Sequence, residues 1–103
     1  MTITADLLKL RSYARALASG TRLRILATLA ECDELGVAEL SRVAGHSQPL
    51  MSWHLRSLRT VGLVRRRRVG REVRYALDAE RLAALQAQLS EFVEELSACR
   101  APP

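Results

Sequence analysis

The sequence is poor in the residues on which most catalytic and metal-binding sites depend. Its 103 residues include two cysteines, two histidines and only 4% aromatic side chains. Two cysteines make neither a disulfide framework nor a four-thiolate zinc site. We also find no carboxylate pair, no pairing of a nucleophile with a base, and no glycine-rich phosphate loop. These absences predict a protein that is not an enzyme and that carries no cofactor.

Long hydrophobic runs are absent as well. No apolar stretch reaches the length of a membrane span, and charged residues at positions 6, 9, 11 and 15 interrupt the N-terminal segment. That segment therefore lacks the apolar core of a secretory signal. We expect a soluble cytoplasmic protein with reduced thiols and no membrane partner. The chain has room for one domain, and domains of this size often gain stability from a partner subunit.

Positive charge is what the sequence does have, and it is concentrated in one segment. Residues 46–77 carry eight arginines and a single acidic residue, Glu72, which gives this segment a net charge of +7. The rest of the chain is slightly acidic, so the overall charge of +5 comes from one patch. A basic patch on an acidic body is typical of a surface that binds a polyanion.

Apolar spacing in the first part of the chain predicts four helices. The first covers residues 4–18 with Thr4 as its cap, and the second is capped by Thr21. A short third helix covers residues 37–44, and a fourth covers residues 47–61. Hydroxyl side chains before a helix and glycine after it are the usual boundary signals. The third helix is predicted to bury three residues, Val37, Leu40 and Val43.

After the predicted fourth helix, the sequence pattern repeats every two residues, as it does in a β-strand. Residues 63–69 and 72–77, joined around Gly70, alternate as a β-hairpin does, with Tyr75 on one face and Arg74 on the other. The order of predicted elements is α-α-α-α-β-β-α. A helix, a turn with glycine and a second helix with a polar exposed face form a helix-turn-helix, and the basic hairpin beside it adds a wing. The sequence therefore predicts a mainly α fold with a small β-hairpin, a winged helix-turn-helix.

The last predicted helix, residues 79–98, has the clearest periodicity. Its apolar residues step by three and four, which is the spacing of a helix that packs against another helix. Packing on its own domain is the alternative, but so much leucine in both terminal helices favours a homodimer. Residues 1–100 are predicted to form a single domain and residues 101–103 a disordered tail. The expected dimerisation residues are Leu7, Leu10, Leu82, Leu85, Leu89, Phe92 and Leu96.

Several spaced motifs carry a resemblance to a known family. They are LASGTRLRIL at residues 17–26, SQ at 47–48, HLRSLR at 54–59, GLV at 62–64, GR at 70–71 and YAL at 75–77. In this order they resemble the ArsR/SmtB repressors, over about residues 14–96. The resemblance implies a homodimer that binds an inverted-repeat operator in double-stranded DNA and releases it when an inducer, usually a metal ion, binds.

The positions at which the family binds metal carry unsuitable residues here. The cysteine site at the start of the third helix corresponds to Gly36 and Ala38. The site on the last helix, built in the family from aspartate, histidine and glutamate, corresponds to Ala79, Arg81, Phe92 and Glu95. Because transition metals need several nitrogen or sulfur donors, we expect neither metal site to function.

The resemblance and the exposed face of the fourth helix together predict the DNA contacts. Gln48, Ser52, Trp53 and Arg56 are expected to read base edges. The DNA backbone is expected to be held by Ser47, Arg59, His54 and the wing residues Arg66, Arg67, Arg68 and Arg71. For His54 the resemblance also allows a role in supporting the helix, and Trp53 has the alternative of wedging against the wing.

The sequence offers more than one source of regulation. Cys32 and Cys99 are two candidate thiol sensors, although a surface thiol and a small buried side chain are the simpler interpretations. A protein co-regulator is another source of control. The alternative function is therefore a winged-helix adaptor whose regulation comes from a partner protein.

Overall fold

The computed structural model describes residues 3–99, so the predicted tail at 101–103 lies outside the described residues, as does the side chain of Cys99. The elements are α1 (Leu7–Leu17), α2 (Gly20–Glu31), β1 (Leu35–Gly36), α3 (Val37–Ala44), α4 (Gln48–Thr60), β2 (Val64–Val69), β3 (Glu72–Leu77) and α5 (Ala79–Cys99). The predicted mainly α architecture with a β-hairpin is confirmed. Within the described residues, no helix is both long and apolar enough to cross a membrane.

One strand was missed by the sequence analysis. The two-residue strand β1 pairs antiparallel with β3, with Leu35 opposite Tyr75 and Gly36 opposite Arg74. The hairpin is therefore part of a three-stranded sheet in the order β1-β3-β2. Two residues are too few to show an alternating pattern, which is why only the partner strand had a signal in the sequence.

The starts of the first two helices differ from the prediction. Asp6, not Thr4, caps α1, and Ser19, not Thr21, caps α2; each accepts a hydrogen bond from the amide three residues further on. The two threonines have other partners. The Thr4 hydroxyl lies 2.7 Å from a carboxylate oxygen of Glu95 in α5, so contacts between distant segments decide which of two possible caps is used.

The core lies between α1, α2, α3, α4 and the sheet. Its largest fully buried side chains are Ile25, Leu40, Met51, Leu55, Leu58, Leu63 and Val64. The prediction for Val43 is wrong, because this side chain is 55% exposed. The inward side of the short helix α3 is formed instead by Leu40 and Ser41, with Val37 and Ala44 beside them, and Val43 lies on the outer side.

Helices α1 and α5 pack on each other at one side of this core. The first half of α5 lies against the core through Leu82 and Leu85, which are partly buried. Further along, Leu89 and Leu96 are 50% and 44% exposed, and on α1 Leu7 is 53% exposed. The molecule is elongated, with extents of 60 × 23 × 22 Å. A single copy of the chain thus leaves apolar side chains of both terminal helices in contact with water.

Candidate nucleic-acid interface

Helix α4 begins where the sequence predicts. The hydroxyl of Ser47 accepts a hydrogen bond from the amide of Leu50 at 3.3 Å, and a proline occupies the first turn, where no amide donor is needed. Between α3 and α4, Gly45 has a φ of 70°, a left-handed conformation that lets the chain turn sharply. This turn sets the angle between the two helices.

The buried and exposed sides of α4 are clearly separated. Met51, Leu55 and Leu58 are fully buried and fix the helix to the core. The four predicted base-reading residues all lie on the exposed side, namely Gln48, Ser52, Trp53 and Arg56. Of the predicted backbone contacts on this helix, Ser47 is exposed and Arg59 is half-buried. The fold thus presents one mostly polar helix face to a ligand.

His54 is placed differently from these residues. Its side chain is only 9% exposed, and its Nδ1 accepts a hydrogen bond from Nε of Arg22 at 3.2 Å. Burial, and then the positive charge of Arg22 and the neighbouring His46, lower the pKa of His54 below 6.5. An imidazole that is buried and held in this way supports the packing of α4, and its contact with the DNA backbone stays a prediction.

The indole of Trp53 is 55% exposed, yet it has two neighbours. The guanidinium carbon of Arg22 lies 5.1 Å from the centre of the indole, and the ring of His54 meets it edge-on with centroids 5.0 Å apart. Both contacts come from helices. The role of Trp53 in DNA binding stays a prediction.

The register of the wing sorts its arginines onto two faces. Arg67 lies opposite Arg74, while Arg66 and Arg68 lie opposite Tyr75 and Val73. Directly opposed residues of an antiparallel pair share a face, and successive residues alternate. Arg67 and Arg74 therefore share the face opposite to that of Arg66 and Arg68. The four predicted wing contacts are all exposed, Arg71 included.

Glu34, in the turn before β1, binds two arginines of the sheet. The Arg67 guanidinium donates two hydrogen bonds to its carboxylate, one of them at 2.9 Å from Nη2 to Oε1. Nε of Arg74 lies 3.4 Å from Oε1, and Nη2 of Arg74 donates to the Glu34 backbone carbonyl at 3.2 Å. The hydrogen bond from Arg67 lowers the pKa of Glu34. Sequence reasoning missed this contact, since 33 residues separate the partners.

The Glu34 contact predicts that neighbouring wing arginines differ in their effect on DNA binding. Arg68→Ala should weaken binding to a random duplex more than Arg67→Ala, because part of the Arg67 charge is already neutralised by Glu34. Log affinity falls as log salt concentration rises, and removing one phosphate contact makes this slope less steep by about one. We expect that change for Arg68→Ala in a fluorescence anisotropy titration.

Glu34→Gln is the matched test of the same contact. It should raise the affinity for random DNA and steepen the salt dependence by releasing Arg67, and the effect should be smaller in an Arg67→Ala background, where only the contact with Arg74 is lost. Equal losses for Arg67→Ala and Arg68→Ala, with no effect of Glu34→Gln, would contradict this account of the wing.

The family's metal positions offer few donors in the structure. Gly36 lies in β1 and Ala38 at the start of α3, and neither has a ligating side chain. Glu95, the one retained ligand, binds Thr4, and its Oε2 accepts a hydrogen bond from the Thr4 amide at 2.6 Å. The hydrogen bond from the Thr4 hydroxyl, followed by that from the Thr4 amide, lowers the pKa of Glu95. Among the side chains that the structure describes, which end at Ala98, no three histidine, cysteine or acidic groups form a cluster suited to a metal.

The two candidate thiol sensors remain predictions. Cys32 follows α2 directly and is exposed. Cys99 is the last residue of α5, and its side chain lies outside the described residues.

A helix with a mostly polar exposed face, following a glycine turn and flanked by an arginine-rich hairpin, defines the class of winged helix-turn-helix DNA-binding regulators. The profile of the bacterial regulatory protein arsR family matches residues 19–66. The regulator Rv2034 of Mycobacterium tuberculosis is 44% identical over 78 residues, which are 76% of this chain and 72% of Rv2034. The chain belongs to the ArsR family, as the sequence motifs predicted. Other curated relatives are longer, and the chain spans 52% to 65% of their length.

Solved structures agree with this assignment. The ArsR family transcriptional regulator RHA00566 superposes with a TM-score of 0.78 at 28% identity, over 95% of this chain and 100% of that one. The homodimeric winged helix-turn-helix DNA-binding domain Mb0332 of Mycobacterium bovis gives a TM-score of 0.70 at 30% identity, over 94% of this chain and 89% of that one. The predicted winged helix-turn-helix fold is confirmed. The protein is a transcriptional regulator of a family without enzymatic activity.

Proposed function

We propose that the protein is a homodimeric repressor that binds an inverted-repeat operator in double-stranded DNA. The observation that carries this proposal is the exposed face of α4, where Gln48, Ser52 and Arg56 stand beside an arginine-rich wing. An α-helix fits the major groove, and arginine forms two hydrogen bonds with the edge of guanine. The wing arginines then hold the phosphates on either side.

The dimer is proposed to form through α1 and α5. A groove of about 390 Å³ runs between the two helices and is lined almost wholly by apolar side chains, among them Leu10, Leu89 and Phe92. Apolar side chains left exposed at a groove favour association with a partner, and a second copy supplies the same surface by symmetry. The homodimeric state of the Mb0332 domain supports this choice. A two-fold dimer presents two α4 helices to DNA, which is the reason for expecting an inverted repeat.

Regulation is proposed not to use the metal positions of the family. Gly36 and Ala38 have no donor atoms in their side chains, and Glu95 is engaged by Thr4. If an inducer exists, its binding site lies elsewhere. Divalent metals at stoichiometric concentration are accordingly expected to leave the protein on its DNA.

The function is tested by comparing one arginine of α4 with one of the wing. The probes are a duplex that the wild-type protein enriches from a random-sequence pool and a shuffled duplex of the same length. Arg56→Ala should lower the ratio of the two affinities by about tenfold to a hundredfold, because a bidentate arginine contact discriminates by about 1–3 kcal/mol. Arg68→Ala should weaken binding to both duplexes alike. Equal losses on both duplexes for both variants would refute the assignment.

A further inference from the structure

One side chain outside the predicted DNA contacts joins three helices. Arg22 lies in the first turn of α2, and its Nη1 donates a hydrogen bond to the backbone carbonyl of Arg15, in the last turn of α1, at 3.2 Å. Its Nε donates to Nδ1 of His54 in α4 at 3.2 Å. Its guanidinium carbon also lies 5.1 Å from the centre of the Trp53 ring.

The hydrogen bond from Arg22 determines the protonation state and the tautomer of His54. An imidazole nitrogen accepts a hydrogen bond only when it carries no proton, so Nδ1 is unprotonated and the neutral ring has its proton on Nε2. A proton on Nδ1 would place its N–H against the N–H of Arg22 Nε, so that no hydrogen bond could form, and would add a second positive charge beside Arg22. The nearby His46 would oppose that charge as well; its Nε2 lies 3.0 Å from the Thr21 hydroxyl.

The protonation state of His54 determines how the stability of the folded protein changes with pH. The pKa of His54 is lowered from 6.5 in the folded protein, so the unfolded chain binds a proton more readily than the folded one. The stabilising contribution of the contact is therefore complete above pH 6.5 and is lost as the pH falls through the folded-state pKa.

We propose that Arg22 is a positioning residue for DNA recognition, which holds the exposed indole of Trp53 in one orientation on the reading face of α4. The indole is supported from two directions, by the guanidinium of Arg22 and by the edge of the His54 ring, whose plane is inclined at 64°. A cation held near an aromatic ring is attracted to it, and a ring held in place loses less freedom when it binds. Trp53 then meets DNA already in its bound orientation.

The positioning role differs from that of a phosphate contact. The Arg22 groups described above donate to Arg15 and His54, inside the protein, and the side chain is half-buried. Loss of Arg22 should therefore disturb how Trp53 meets the bases without removing a charge contact to the DNA backbone. This inference depends on the proposed function, because it concerns how the same helix face reads DNA.

The contact itself is tested without DNA, through the fluorescence of Trp53, which is the only tryptophan of the chain. A protonated imidazole quenches a neighbouring indole, so a pH titration of the emission reports the protonation of His54. In Arg22→Met the midpoint should move upward, because the positive charge that opposes protonation and the hydrogen bond to the unprotonated Nδ1 are both lost. Arg24→Met changes an exposed arginine two residues further along α2, and its midpoint should match the wild type. Identical midpoints in Arg22→Met and wild type would overturn the proposal.

The consequence for recognition is tested with the enriched and the shuffled duplex. Arg22→Met should reduce the ratio of their affinities about tenfold with an unchanged salt slope, whereas Arg24→Met should leave the ratio unchanged. Arg22→Lys keeps the charge and is a second variant, expected to fold and to lose discrimination without the planar guanidinium. A salt slope lowered by about one would identify Arg22 as a phosphate contact and overturn the positioning role. Failure of the wild type to discriminate would refute the proposed function instead, and the fluorescence titration would still decide the contact.

Discussion

Leu89→Glu is expected to convert the dimer into a monomer and to weaken operator binding on the order of a hundredfold. Leu89 is 50% exposed in the single chain and lines the groove between α1 and α5. A glutamate there places a carboxylate in the apolar contact, and a second one on the partner by symmetry. A monomer binds one half-site, so it forfeits about half of the specific free energy of binding. Light scattering and anisotropy with the enriched duplex measure the two effects.

Ala87→Glu is the matched control for this experiment. It adds the same charge to the same helix at an exposed position that is not among the residues lining the groove. This variant should remain dimeric with affinity close to that of the wild type. A dimeric Leu89→Glu variant with full affinity would show that the two copies meet elsewhere.

Leu55→Ala is expected to lower the free energy of unfolding by about 2–5 kcal/mol. Leu55 is fully buried on the inner side of α4, where it fixes the reading helix to the core. Truncation removes apolar contacts and leaves a cavity that the surrounding helices fill only in part. The measurement is urea unfolding at one fixed protein concentration, because the stability of a dimer depends on concentration.

Leu50→Ala, in the same helix, provides the comparison. Leu50 is 40% exposed, so its truncation should cost less than about 1 kcal/mol. If Leu55→Ala also cost less than about 1 kcal/mol, the packing described for α4 would be wrong.

Local signals were sufficient to predict the elements that carry the DNA-binding surface. Ser47 caps α4, and the two-residue period of the hairpin is regular. These signals act within a few residues, so they appear in the sequence. The caps of α1 and α2 were missed because Asp6 and Thr4, or Ser19 and Thr21, are equally good candidates locally. Distant contacts, such as that of Thr4 with Glu95, decide between them.

In the candidate site, too, locally determined features were predictable from the sequence and long-range contacts were not. The spacing of α4 placed Gln48, Ser52 and Arg56 on one exposed face, because helical geometry alone determines that face. The roles of Arg22 and Glu34 had no such signal. Arg22 reaches His54, 32 residues away, and Glu34 reaches Arg67, 33 residues away. Contacts of this kind depend on how α2 and the sheet pack, which no local pattern describes.

The central claim, that a dimer reads DNA sequence through α4, is tested most directly by enrichment of bound duplexes from a random-sequence pool, followed by sequencing. We expect an enriched inverted repeat with half-sites about one helical turn apart, and loss of this enrichment in the Arg56→Ala variant. Retention of all sequences alike, or enrichment that is unchanged in Arg56→Ala, would contradict it.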